Sequence, residues 1–258
     1  MPRFAARLAY DGTAYFGFQR QKTGTPTIQS AVENALETVN GTPVICTGAG
    51  RTDTGVHASG QVISWEMAWE HQPDALLRAI NAHLPPDIAV QAISEVGLDF
   101  HPRFDAIRRT YVYRLYSALA LDPLRNRYAW HFRQSLSVGD MITAASLLIG
   151  EHDFATFGQP TQGTSTVRQA YRATLESIGD ELHVTIEANA FLQRMVRSIV
   201  GTLVEVGRGK MCIAAFHQAF QAADRAQSGP SAPAHGLRLA AVDYAEPIFD
   251  IQPDRDKR

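Results

Sequence analysis

The residues best suited to chemistry lie in one stretch, TGAGRTDTGVHASGQ, from Thr47 to Gln61. Gly48, Gly50, Gly55 and small hydroxyl residues surround one arginine, Arg51, and one carboxylate, Asp53. A loop with so little bulk lets the backbone of a polymer come close. An ionised carboxylate presented on it could act as a nucleophile or a general base, while Arg51 by itself reads as a surface arginine. The same residues also fit a plain turn, because Thr-Asp-Thr-Gly lets Asp53 accept bonds from nearby backbone amides. Taken alone, that is the commoner use of such an Asp. Nucleotide loops fit less well: Gly50 is followed by a glycine five residues later rather than three, GK[ST] is absent, and a strand follows. No metal site is expected, since His57 has no second ligand at HxxxH spacing. Cys46 and Cys212 form no CxxC and read as buried thiols of a reducing compartment. His152 and Asp153 read as capping and packing residues.

The elements that must position this loop run twice through the same order. Arg3 to Tyr10 alternates, with Phe4, Ala6, Leu8 and Tyr10 on one side, and stops at Asp11-Gly12. Thr25-Pro26 should open a helix bearing Ile28, Val32, Leu36 and Val39, closed by Asn40-Gly41. Pro43 to Thr47 and Gly60 to Glu66 read as strands, Pro73 opens a helix that ends at Pro85-Pro86, and Ile88 to Val96 is a strand. In the second half Thr110 to Tyr116 is a strand, and Ser137 with Asp140 resembles a capping box for a helix. Strands follow at Val167 to Ile178 and Leu182 to Ala188, then a helix from Phe191 to Val206. An inserted helix at about Cys212 to Asp224 precedes a last strand, Leu237 to Tyr244. The pattern predicts an α+β chain of two tandem ferredoxin/RRM-like βαββαβ domains, residues 1–105 and 106–248, followed by a tail, 249–258. The sheets should be mostly antiparallel, with a cleft between the domains for a polymeric ligand.

The chain has 258 residues and a net charge of −2, so it is no indiscriminate binder of polyanions. Locally the balance differs. Seven arginines between His101 and Arg133 face two acids, a net of +5, whereas Glu66 to Asp99 carries −5. Of 24 basic residues 21 are arginine, the better planar partner for phosphate. Basic patches on a polarised globule suit a specific anionic partner; solvated faces and a GC-rich genome would produce the same composition. No apolar run is long enough for a membrane span, and Arg3 and Arg7 break any secretory signal.

Residues Gly50 to Ala58, GRTDTGVHA, resemble the motif GRTDAGVHA of the tRNA pseudouridine synthase I family (the TruA type), with Thr54 in place of the usual alanine. YDGTAYFGFQRQ, FHPRFDAIRRTYVYRLY, FLQRMVRSIVGTLVEVGRGK and APAHGLRLAAVDY resemble the family's other motifs in the same order, so the likeness spans nearly the whole chain. It implies isomerisation of uridine to pseudouridine in tRNA, at positions 38 to 40 of the anticodon arm. The enzyme would be a cytoplasmic homodimer that needs no cofactor.

The resemblance also assigns roles. Asp53 would be the essential carboxylate, and Arg51 would contact phosphate or fill the space left by a flipped base. Tyr111 would stack on that base, and Arg197 would be the cation beside the carboxylate. By pattern alone, Tyr111 and Tyr113 are a strand pair of core type, and Arg194 and Arg197 lie on the solvated face of an amphipathic helix. Arg108, Arg109 and Arg194 are further candidates for RNA contacts. Two other classes are less well matched. A non-catalytic RNA binder made of RRM domains would carry aromatic RNP motifs, which neither half has. A glycoside hydrolase would need a second carboxylate near Asp53.

Overall fold

The computed structural model describes residues 1–22, 24–161 and 163–249. The tail expected from 249 therefore lies outside the described residues except for Phe249. The first half runs β1 (Arg3–Tyr10), α1 (Ile28–Asn40), β2 (Thr47–Gly48), β3 (His57–Glu66), α2 (Pro73–His83) and β4 (Ile88–Val96). The second begins with β5 (Ala106–Ser117), β6 (Trp130–Phe132), α3 (Val138–Ser146) and β7 (Gly150–Asp153). It continues with β8 (Val167–Ile178), β9 (Glu181–Ala188), α4 (Met195–Gly207), α5 (Ile213–Gln221) and β10 (Leu237–Tyr244).

Where the sequence pattern predicts a sheet for each half, the strands form one sheet in the order β4-β1-β3-β10-β5-β9-β8-β7. The join is a short parallel pairing in which Arg238 and Leu239 of β10 lie beside His57 and Ala58 of β3. The rest of the main path is antiparallel. Each half nevertheless repeats one order. If its strands are counted within the half, setting aside β6 and β7, both read fourth, first, third, second.

Paired residues share a face, so the register defines rows across the sheet. One row runs Ile88, Tyr10, Ala58, Leu239, Tyr111, Ile186, Ala173, crossing both halves through the β3–β10 join. All seven are buried in a single apolar core. Burying such a row on one face forces the register, because a slip by one residue would turn the whole set outward. Among the described residues no helix is long and apolar enough to cross a membrane.

Several local expectations shift. Helix α1 starts at Ile28 rather than after Thr25, because Thr27 and Ser30 complete a reciprocal capping box there. The Pro43–Thr47 strand shrinks to β2. Ser137 precedes α3, but its hydroxyl donates to the Asp140 carboxylate at 2.6 Å and caps no backbone amide. Cys212, expected inside, is exposed: it caps α5, its Sγ accepting from Ala215 N at 3.4 Å.

Candidate active site

The Asp53 loop leaves β2 and is gripped from below. Gln61, fully buried in β3, donates from Nε2 to Gly50 O at 2.7 Å and accepts from Gly50 N at 3.3 Å. The Tyr10 hydroxyl bonds Thr52 Oγ1 at 2.8 Å, and Phe18 N donates to Thr52 O at 3.0 Å. The segment after β1 lies so close that a Cβ on Gly12 would stand 2.1 Å from Val56 O, a position only glycine can occupy. With Thr52 pulled inward, Arg51 is exposed and Asp53 half-buried.

A turn aspartate would accept backbone N–H groups with its carboxylate. In this loop Val56 N donates to the Asp53 main-chain carbonyl at 3.1 Å, and the side chain takes no part in the turn. Its partner among the described residues is Arg197, whose Nη1 lies 3.2 Å from Oδ2. Arg197 is set in place before the carboxylate is reached. Its Nε donates to Ala232 O at 2.8 Å, and Ala232 N donates back to Arg197 O at 2.9 Å. One turn on, a Cβ at Gly201 would fall 1.7 Å from Pro230 O, so glycine lets the 230–232 segment lie directly on α4.

Periodicity predicts this helix from Phe191, but α4 begins at Met195. Residues 191–194 are instead held by a bridge between Gln159 and Gln193. Arg194 takes the left-handed conformation (φ 62°) at the N-cap, so it lies outside the helix on which periodicity placed it with Arg197. Phe191, freed from the helix, sets its ring edge-on to Tyr111 with centroids 4.8 Å apart. Tyr111 is buried, and its hydroxyl would lie 3.9 Å from a Cβ on Gly50. Carboxylate, paired cation and tyrosine therefore converge above the join between the halves, while Arg51 and Arg194 are exposed.

Comparison with known proteins places the chain in a family. The tRNA pseudouridine synthase family model matches residues 6–105 and 144–245. The chain belongs to the tRNA pseudouridine synthase family. It is 43% identical over 249 residues to the tRNA pseudouridine synthase A of Maricaulis maris, covering 96% of this chain and 100% of that one. The Neisseria meningitidis serogroup C protein of the same name is 43% identical over 254 residues (97% and 95%), and that of Brevibacillus brevis 43% over 245 residues (95% and 100%). Among solved structures, an archaeal box H/ACA Nop10–Cbf5 complex matches 78% of this chain and 44% of that chain, with 11% identity and a TM-score of 0.37. Thr54, where the family motif has alanine, is exposed.

For a member of a tRNA-modifying family the arginines matter, and most of the expected patch is already paired. Arg108 binds Glu187 at 2.9 Å and lies over Tyr171, Arg114 grips Glu181, Arg125 meets Asp180, and Arg127 meets Asp11. Arg109 is buried, with both terminal nitrogens on backbone carbonyls. Neither Arg108 nor Arg109 stands free for phosphate as the local charge count predicts, since four of the balancing acids come from remote segments.

Sequence reasoning also passed over the residue that buttresses the motif from behind, His57. Gly12 N donates to its Nδ1 at 3.1 Å, and its Nε2 lies 3.1 Å from His235 O. Burial pulls His57 below its ordinary value of 6.5 despite Asp11 beside it, and burial does the same to His235. For Asp11, burial raises the pKa. Bonds from Thr13 and Tyr128, together with the His57 charge, outweigh that and lower it to about 2. Glu181, held first by Arg114, also falls to about 2.

Two pH windows follow. The folded histidines resist protons that the unfolded chain binds, so the melting temperature should drop as pH falls below about 6.5. The two carboxylates add a second drop, from about pH 4 toward 2. Thermal melts from pH 8 to 3 should show both steps, with His57→Gln shrinking the first and, through its lost charge beside Asp11, part of the second. A flat profile between pH 7 and 5.5 in the unsubstituted protein would contradict this account.

Proposed function

We propose that this protein isomerises uridine to pseudouridine in tRNA, at positions 38 to 40 on the 3′ side of the anticodon arm, with Asp53 as nucleophile or base. The observation that carries the reading is the Asp53 carboxylate itself: unused by its own turn, paired with Arg197 at 3.2 Å, and 31% exposed. In the reaction the C1′–N1 bond breaks, the uracil turns, and C5 joins C1′ as a proton leaves C5 and N1 gains one. Nothing is oxidised, and no cofactor enters the scheme. A flipped base costs a few kcal/mol to unstack. Tyr111 offers it a ring face, and Arg51 can occupy the gap or hold a phosphate. Arg197 gives the carboxylate a cationic partner as RNA closes over it and excludes water.

In this reading residues 1–105 and 106–248 act as two ferredoxin-like domains, with the tRNA lying in the cleft between them. The strand order common to both halves supports that division. The working species is a cytoplasmic homodimer. Incubation with an unmodified tRNA transcript, followed by chemical labelling of pseudouridine and primer extension, tests the activity. Stops at positions other than 38 to 40 would reassign the target.

Arg51 and Arg194 are exposed and have no carboxylate partner among the described residues. They take the place of Arg108 and Arg109 as phosphate contacts. Plots of log affinity for tRNA against log salt should lose about one unit of slope in Arg51→Ala or Arg194→Ala. Unchanged slopes would return both to the solvated surface.

A further inference from the structure

We propose that Arg109 is a positioning residue for the isomerisation, its guanidinium tying the arm that carries Asp53 to the arm that carries Phe191 and Arg197. This rests on the assignment of Asp53 and Arg197 to the reaction. Strand alternation places Arg109 on the core face of β5, in the series Arg109, Tyr111, Tyr113, Leu115, where the other three are buried and largely apolar. A charged group there must be desolvated, and it persists only where its donors are met.

They are met entirely by main chain. Nη1 donates to Asn189 O at 2.7 Å and to Ala106 O at 3.2 Å; Nη2 donates to Ala49 O at 3.3 Å and also to Arg103 O. Burial pulls its pKa below the ordinary arginine value, with Tyr111 and Tyr244 opposing and Arg103 adding to that effect.

The positions of those carbonyls give the side chain its role. Ala49 is the last residue before Gly50, Arg51, Thr52 and Asp53. Asn189 lies two residues before Phe191, whose ring abuts Tyr111, and eight before Arg197. Ala106 and Arg103 lie where the chain passes from one half to the other. One planar fork thus spans both catalytic arms and the crossing between them. A lysine keeps the charge but has a single nitrogen, which cannot reach carbonyls on both arms in the same geometry. The separation of Asp53 from Arg197 would then be free to drift, and displacements of about 1 Å at a reacting centre cost on the order of 10²-fold in rate.

The experiment is single-turnover kinetics on tRNA with Arg109→Lys, Arg197→Met and the double variant, together with binding at several salt concentrations. Arg109→Lys should lose about 10- to 100-fold in rate at saturating tRNA. Its binding and salt slope should stay as in the parent. The double variant should lose much less than the product of the single losses, because both act on one pair. A parental rate, losses that simply multiply, or a flattened salt slope would each overturn the proposal, the last in favour of a phosphate contact. Should Arg109→Lys fold poorly, Arg109→Gln carries the same comparison, its one amide nitrogen reaching a single arm. No turnover by the unsubstituted protein would sink the functional reading instead.

Discussion

Asp53→Asn should abolish pseudouridine formation, lowering the single-turnover rate on the order of 10⁴-fold or more. The substitution keeps the shape of the side chain and an oxygen for Arg197 Nη1, now 3.2 Å from Oδ2, and removes only the charge and nucleophilicity. Stability should barely change, because the ion pair is partly exposed and such pairs contribute about 0–1 kcal/mol. The turn should also survive, since it is closed by Val56 N on the Asp53 main-chain carbonyl. Affinity for tRNA should stay within a few-fold. The measurement is rate, melting temperature and tRNA binding on the same preparation. Substantial turnover by the variant would remove Asp53 from the chemistry, and a large loss of melting temperature would restore it to a structural role.

Arg197→Met comes next in size, with a loss on the order of 10²-fold at neutral pH, comparable to removing one preorganised electrostatic partner. Methionine retains the aliphatic bulk and drops the cation. The carboxylate then faces the closed, water-poor complex without a cationic partner. Arg197→Lys should lose less rate, because charge remains. It should not match the parent, since one ammonium cannot replace both Nε on Ala232 O and Nη1 on Asp53. If single-turnover kinetics show Arg197→Met at the parental rate, Arg197 is not the partner the reaction needs, and exposed Arg194 is the one to examine.

The motif stretch was legible because its signals are local. Asp53 and Arg51 stand out by type and spacing within fifteen residues, and the glycines there mark close approach, as Gly12 against Val56 bears out for the neighbouring YDG segment. Arg109 was misread for the opposite reason. The pair Arg108-Arg109 looks like surface charge in a basic stretch, yet alternation on β5 sends one outward to Glu187 and the other inward to four carbonyls. The alternation itself was available, since Arg109 is in phase with Tyr111 and Tyr113. Phe191 was hidden by a helix boundary: apolar spacing extended α4 backward across four residues that a bridge to Gln159 keeps out of it.

By itself the sequence determined most of the strands and helices, though not β6 or β7, the repeat of their order, and the family to which the chain belongs. Each of these depends on periodicity or on motifs that neighbouring residues carry. Tertiary structure alone decided that the halves share one sheet, since two residues of β10 find β3 some 180 positions away. It likewise decided which arginines are free, because Arg127 meets Asp11 and Arg108 meets Glu187 only after folding. The pairing of Asp53 with Arg197, 144 residues apart, belongs with these. Charge, burial and reactivity are set by which groups lie within a few ångströms, and a linear chain specifies those distances only through its packed core.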